Sequence, residues 1–324
     1  PLRLVRSRTD EFRASPLGPA MAVTARATVD GDGHILAAEV TVNSAPHANR
    51  PASNGAPWLL SGTRLEKTIP FPASKDVPLA RGGGADRNAV PYYRVPNLRV
   101  KKRLIQGLPY RSSSLRALGA HANVFAIEML MDRIAAETGQ DPVRLRLDHL
   151  DDPRARAVIE AVMEDGADLL AETEGEGWGL GFARYKNAAA YAAVLARIAV
   201  DEGVTVTDIR AAVDMGEIVN RDGALNQIEG GILQAISWAL KEEVAFDGTA
   251  VATETWLDYP ILTFSEVPDV SIRLIDRPEE PPLGCAEAMQ GPVAAAIGGA
   301  IFRATGVQVC DMPFTRERIV SALL

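Results

Sequence analysis

Residues 283–305 place one carboxylate, Glu287, in a turn of small residues that leads directly into an apolar stretch. Val293, Ile297, Ala300, Ile301 and Ala304 recur at helical spacing, and Pro292 fits a first-turn position that needs no amide hydrogen. The spacing predicts a helix whose N-terminus lies just beyond Glu287. Gly284, Ala286, Ala288 and Gly291 let backbone approach a bulky ligand closely, and the free amides and positive dipole end of the helix suit an anion. Two readings of Glu287 follow from this chemistry alone: a catalytic base, or a loop acid that helps cap the helix.

With 324 residues and 47% apolar content, the chain can bury a substantial core as two domains or one large one. A net charge of -8 argues against nucleic acid as the main partner. Lys101, Lys102 and Arg103 form the densest basic cluster and read as the solvated end of a strand. Cys285 and Cys310 cannot build a disulfide framework, and no Cys-x-x-Cys spacing exists to hold zinc or an iron–sulfur cluster, so any cluster must reside elsewhere. His34, His47, His121 and His149 are scattered and read as structural, leaving no direct metal ligand in the chain. No window of about 18 apolar residues exists, so no membrane-spanning helix is expected. The first ten residues carry charges where a secretory signal needs an apolar core.

Met21 to Val29 and Ile35 to Val42 predict a hairpin around Asp30-Gly-Asp-Gly33. Residues 44–97 are rich in Pro, Gly, Asn and Ala and predict a long loop of the kind that carries function or covers a ligand, with a triple glycine, 82–84, whose amides suit a phosphate. Helices are predicted at 121–138, Pro142 to Leu150 and Arg154 to Asp165. The acidic, Gly-rich segment 166–177 is read as a linker between a first α+β region, 1–165, and a second, 178–324, that carries Glu287. Strands follow at Gly179 to Tyr185, Tyr191 to Val200, Thr205 to Val213 and 269–276. A long helix at Asp222 to Val244 contains Gly230-Gly231, which costs roughly 1 kcal/mol per glycine relative to alanine and implies close approach of another backbone or a ligand. A short capped helix from Thr315 closes the chain.

Three separated motifs carry a resemblance. The stretch around Glu287 resembles the Gly-x-Gly-Glu segment of the molybdenum-binding subunit of the xanthine dehydrogenase and aldehyde oxidoreductase family. Residues 115–137 and 141–147 resemble the family's Arg-x-x-Gly turn and the helix after it, and residues 213–234, with Asn226-Gln-Ile-Glu-Gly230, resemble its Gln-Ile-Glu-Gly segment. The flavour is that of the nicotinate and isoquinoline dehydrogenase branch, and the likeness covers only the C-terminal half of such a subunit.

The resemblance implies an α+β fold of mixed and antiparallel sheets with packed helices, in two related subdomains. It implies a molybdenum–molybdopterin cofactor, in the cytosine dinucleotide form, that hydroxylates an electron-poor carbon of an N-heterocycle or aldehyde with water as the oxygen source. Glu287 matches the catalytic base. Arg116, Ala117 and Gly119 match a turn beside the metal ligands, although Arg116 equally suits pairing with a buried acid. Gln227, Glu229 and Gly231 match a helix near the pterin, with a buried hydrogen-bonding role open for Glu229. Gln290 and Gly291 are placed to touch pterin or phosphate. Leu118 matches a substrate-contact position that often holds an aromatic ring, and Cys285 either lines the same pocket or fills space as a small thiol. Ala286 departs from the family's glycine and adds a Cβ that restricts φ.

Implied partners are the N-terminal half of the subunit, a subunit carrying [2Fe-2S] clusters, a small-molecule substrate and a flavin or cytochrome electron acceptor. The expected compartment is the cytoplasm, or the periplasm through a partner's leader. Alone, the chain is expected to bind cofactor weakly or not at all. The competing reading is a non-catalytic scaffold or assembly protein that keeps the fold without metal, supported by Ala286 and the absent half.

Overall fold

The computed structural model describes residues 1–48, 66, 73, 75–171 and 173–324. The middle of the predicted 44–97 loop therefore lies outside the described residues. The chain runs α1 (Arg8–Ala14), β1 (Met21–Val29), β2 (Ile35–Ser44), β3 (Asn97–Leu104), α2 (Ala120–Thr138), α3 (Pro142–Asp148), α4 (Pro153–Asp165), β4 (Glu176–Arg184), β5 (Tyr191–Val200) and β6 (Val204–Asp214). It continues with α5 (Arg221–Leu240), β7 (Phe246–Asp247), β8 (Ala250–Val251), β9 (Asp269–Ile275), α6 (Gln290–Thr305) and α7 (Arg316–Leu323). The architecture is α+β, as expected, with helices packed on mixed sheets.

The first main sheet has the order β1-β2-β3, with β1 antiparallel and β3 parallel to β2. The second has the order β4-β5-β6-β9, antiparallel except for the parallel β6–β9 pair. β7 and β8 form a separate two-stranded ribbon. The basic cluster lies in β3 as expected: Lys101 pairs with Glu39 at 2.7 Å and Lys102 with Asp86 at 2.8 Å.

Side-chain alternation sorts β5 into two faces. Ala192, Val194, Ala196 and Ile198 pack with α5 and α6 in one core, while Tyr191, Ala193 and Leu195 join α4, α2 and the first sheet in the other. Both cores draw on residues from either side of 166–177. Glu128 and Arg146, both buried, pair at 2.9 Å; Glu128 also accepts from the Tyr93 hydroxyl (2.6 Å) and the Phe182 amide (3.0 Å), tying α2 to α3 and β4.

The most consequential contact lies between β4 and α6. A Cβ on Gly177, Gly179 or Gly181 would stand 2.2, 2.1 and 2.1 Å from the carbonyl oxygens of Ala300, Ala296 and Pro292 respectively. Two strand residues span about 6.6 Å and four helical residues about 6 Å, so the glycine period of β4 matches the turns of α6. The helix thus lies directly on the strand backbone, with residues 290–301 all buried. That seating fixes the point at which the chain enters α6, and hence Glu287.

Candidate functional site

Glu287 sits three residues before α6, and its side chain is 32% exposed. Its Oε1 accepts from the Ala117 amide (3.2 Å) and its Oε2 from the Tyr185 hydroxyl (2.6 Å). The Arg87 guanidinium, 6% exposed, stands 3.7 Å from Oε2 and donates to the Tyr185 hydroxyl. Burial pushes the Tyr185 phenol's pKa up, and its hydrogen bond to Glu287 adds to the shift, so the proton stays on tyrosine. Ala48, Val77, Arg87, Ser114, Leu118, Lys186 and Glu287 line one cavity of about 330 Å³.

Backbone in the left-handed region surrounds this carboxylate. The non-glycine residues with positive φ among those described are Asp76, Asn88, Ala117 (71°), Leu118 (51°), Lys186 (58°) and Asn187 (53°). Such conformations cost of order 1–3 kcal/mol each and persist where surrounding contacts over-determine them. Here the contacts are specific. The Gly119 amide donates to the Gly84 carbonyl (3.1 Å), and a Cβ on Gly119 would fall 2.3 Å from the Ala85 carbonyl, so the glycine of the turn is required for close approach. Buried Asn123 donates to the Ala85 and Arg87 carbonyls, both at 2.8 Å. Asn88 in turn donates to the Arg184 carbonyl (2.8 Å) and accepts from the Lys186 amide (2.9 Å).

The triple glycine serves a purpose different from the one its composition suggests. Its amides are spent inside the loop, and the Gly82 and Gly83 carbonyls accept from Arg87 at 2.8–3.1 Å. The loop holds a guanidinium in place of a phosphate.

Among the described residues, Arg116 is not paired with a buried acid. Its Nε donates to the Ala286 carbonyl (2.5 Å) and its Nη2 to the Gln227 carbonyl (2.9 Å), while burial lowers its pKa against the opposing charge of Glu287. Gln290 is fully buried at the start of α6, and its amide, correctly oriented, donates to the Glu287 carbonyl (3.1 Å) and accepts from Arg116 Nε (3.2 Å). Gly231 meets Met289, where a Cβ would lie 3.2 Å from the Met289 Cβ, so the predicted close approach is by protein. Gly291 likewise packs against Val124. Glu229 is exposed, which removes the buried role left open for it. Cys285 is buried in the core and is not among the described residues lining the Glu287 cavity; burial raises its pKa. Ala286 does not take the left-handed backbone that favours glycine, so its Cβ is accommodated without strain.

Asp30, Asp32 and His34, in the β1–β2 turn, bring possible ligand atoms within 4.8 Å of one another. Asp30 already accepts from the Asp32 and His34 amides (3.0 and 2.9 Å), the bonding of a turn.

Comparison with known proteins identifies the framework around this carboxylate. Residues 102–268 match the model of the molybdopterin cofactor-binding domain. The chain belongs to that family. A nicotinate dehydrogenase subunit of Pseudomonas putida is 35% identical, aligned over 100% of this chain and 27% of its own length. The beta subunit of isoquinoline 1-oxidoreductase from Brevundimonas diminuta is 30% identical over 96% of this chain and 38% of its own length. The chain thus spans well under half the length of these curated relatives. Among solved structures, quinoline 2-oxidoreductase from Pseudomonas putida 86 superposes with a TM-score of 0.77 at 16% identity, covering 98% of this chain and 64% of that one. Aldehyde oxidoreductase from Desulfovibrio gigas gives 0.76 at 16% identity, covering 98% and 50%. These likenesses show the fold. No helix among the described residues is long and apolar enough to cross a membrane.

The fold brings together Glu287, Leu118 and the Arg116–Gly119 turn, which were singled out in the sequence. Tyr185, Arg87 and the paired asparagines Asn88 and Asn187 were not. Arg87 follows a glycine run and Tyr185 lies in the short link between two strands, and neither pattern names a partner.

Proposed function

We propose that this chain is the cofactor-facing part of a molybdenum hydroxylase, with Glu287 as the base in the oxidation of an electron-poor carbon of an N-heterocycle or aldehyde. The observation that carries this reading is the Glu287 carboxylate, held by two donors at a cavity wall in a chain of the molybdopterin cofactor-binding domain family. The overall change converts C–H and water into C–OH, two protons and two electrons.

The residues present suit a pterin. Arg116, exposed Gln227 with its amide hydrogens unspent among the described residues, and the open backbone at Gly230 offer donors and acceptors to a polar heterocycle with an anionic tail. Arg116 and Gln227 would hold it from this side; Ala117, Gly119 and Gln290, buried with their polar groups spent within the protein, position the Arg116 turn and the start of α6, and Gly231 and Gly291 give shape through close packing. When bound, the group supplies a redox centre that accepts two electrons from the substrate carbon.

The chain's own residues do the rest. Ala117 and Tyr185 each donate to one oxygen of Glu287, leaving a further lone pair on each to receive a proton. Arg87 offsets the charge of that carboxylate, and Leu118 contacts the substrate without stacking. The finer assignments rest on the family likeness: a cytosine dinucleotide form of the cofactor, the missing N-terminal half of the subunit, and [2Fe-2S] clusters on a partner that pass electrons to a flavin or cytochrome. The scaffold reading loses one of its two supports, because Ala286 fits without strain.

The test is metal analysis of the chain co-expressed with the rest of its subunit and a cluster-bearing partner. Stoichiometric molybdenum and pterin, with dye reduction by at least one N-heterocycle or aldehyde, is the expected result. A folded complex that never acquires molybdenum supports the scaffold instead.

A further inference from the structure

The stretch 246–267 turns its large apolar side chains to solvent. Leu257 is 92% exposed and Phe264 fully so, with Phe246, Trp256, Ile261 and Val267 between 40% and 50%. These are six of the eighteen large apolar side chains exposed among the described residues, gathered into 22 of 324 positions. Exposed apolar residues scattered singly need no explanation, whereas a concentration of them marks a surface that another surface covers.

The stretch is held firmly by its polar groups. The Tyr259 hydroxyl donates to Glu242 (2.7 Å), the Leu262 amide to the Ser237 hydroxyl (2.9 Å), and Glu266 pairs with Lys241, so residues 259–266 are pinned along the end of α5 and the segment after it. Phe12 of α1 meets the rings of Trp256 and Tyr259, with centroids 6.3 and 5.3 Å apart, and Arg8 lies 4.4 Å over Trp256. Polar atoms of the stretch are thus spent on the body of the protein, and its apolar side chains are left outside. Leu262 and Glu266 also edge a groove of about 290 Å³, lined in addition by Val204, Val206, Leu240 and Phe314, with room for an inserted side chain.

We infer that this face is the seat of the polypeptide that makes up the rest of the subunit, which meets it with an apolar centre and a basic rim. The inference rests on the proposed place of this chain in a longer molybdenum subunit, and it names the surface that joins the two parts. Length supports that occupant: the chain spans 27% and 38% of the two curated relatives, so most of such a polypeptide lies beyond this fold and must pack on some part of it. A permanent partner is what large, fully exposed apolar side chains suit, because obligate interfaces are the more hydrophobic ones. Charge argues against a second copy of this chain. Residues 242–269 hold seven acids and no Lys or Arg. Four of the acids pair with Arg318, Arg13, Lys241 and Arg210, while Glu242, Asp247 and Asp258 have no ion pair among the described residues. Two such faces brought together would oppose like charges, whereas a basic rim would complement them.

The test replaces Phe264 with the photoreactive residue p-benzoylphenylalanine in the chain co-expressed with the rest of its subunit and a cluster-bearing partner. Irradiation and peptide mapping then identify what lies against position 264. Cross-links to the rest of the subunit are expected. Cross-links to a second copy of this chain or to the cluster-bearing partner overturn the inference, and so does the absence of cross-links in an assembled complex, which would leave the side chain in water. As a second reading, Leu257→Asp combined with Phe264→Asp is expected to lower the yield of assembled complex at least about tenfold, and wild-type yield would count against the proposed seat. Neither reading requires molybdenum, so failure of the hydroxylase reading, seen as absent metal in an assembled complex, stays separate from failure of this interface.

Discussion

The Ala117 amide reaches Glu287 Oε1 at 3.2 Å across 170 positions of sequence. Ala117 is fully buried there and adopts a φ of 71°, and in that turn its N–H meets the carboxylate. The strain of that turn is borne by contacts with the 84–88 loop, through Gly119 and Asn123. The base is thus positioned by three segments, and its own turn supplies neither of the donors that fix its carboxylate.

Tyr185 is the second donor, and Tyr185→Phe tests its share. The substitution removes the hydroxyl between Arg87 and Glu287, leaving a buried guanidinium hydrogen without its acceptor. Stability is expected to fall by about 1–3 kcal/mol and turnover by about tenfold or more. Denaturant unfolding and steady-state kinetics of the same preparation read both, and unchanged turnover would show that the tyrosine does not position the base.

Gly179→Ala tests the seating of α6. The added Cβ would fall 2.1 Å from the Ala296 carbonyl, and backbone on neither side can rotate away as a side chain can. A loss of about 1–3 kcal/mol is expected, seen as a lower denaturant midpoint at unchanged slope. A neutral result would mean that strand and helix separate easily.

His47 sets an acid limit on stability. Burial pushes its pKa down from 6.5 to about 4, outweighing the upward pull of Asp76, and its Nδ1 has no hydrogen-bond partner among the described residues. The unfolded chain therefore binds a proton that the folded protein refuses. The contribution is complete above pH 6.5 and is lost as pH falls toward 4. Urea unfolding across this range should show stability falling with acid, with a shallower fall in His47→Asn. Equal slopes in the two proteins would remove His47 from the account.

Much of this was legible in the chain. Period-2 and period-3.6 patterns located the hairpin and α2 closely because each has a more buried face that selects apolar residues, whereas β5, buried on both faces, showed as a continuous apolar run. The long helix at 221–240 ended earlier than its apolar pattern suggested, since the Lys241–Val244 segment leaves the helix. The strand glycines of β4 read only as permissive backbone. Their meaning depends on a helix more than 100 residues later in sequence, which no local pattern reveals. Glu287 was visible from its small neighbours, whereas Tyr185 and Arg87 act through distances that only the fold sets.

The measurement that bears most directly on the central claim is turnover of Glu287→Gln in a complex whose molybdenum content equals that of the wild type. The amide keeps the size of the carboxylate but cannot accept the proton, so turnover should fall by at least 10²–10⁴-fold with metal retained. Turnover within a few-fold of wild type at equal metal content would contradict the assignment of Glu287 as the base.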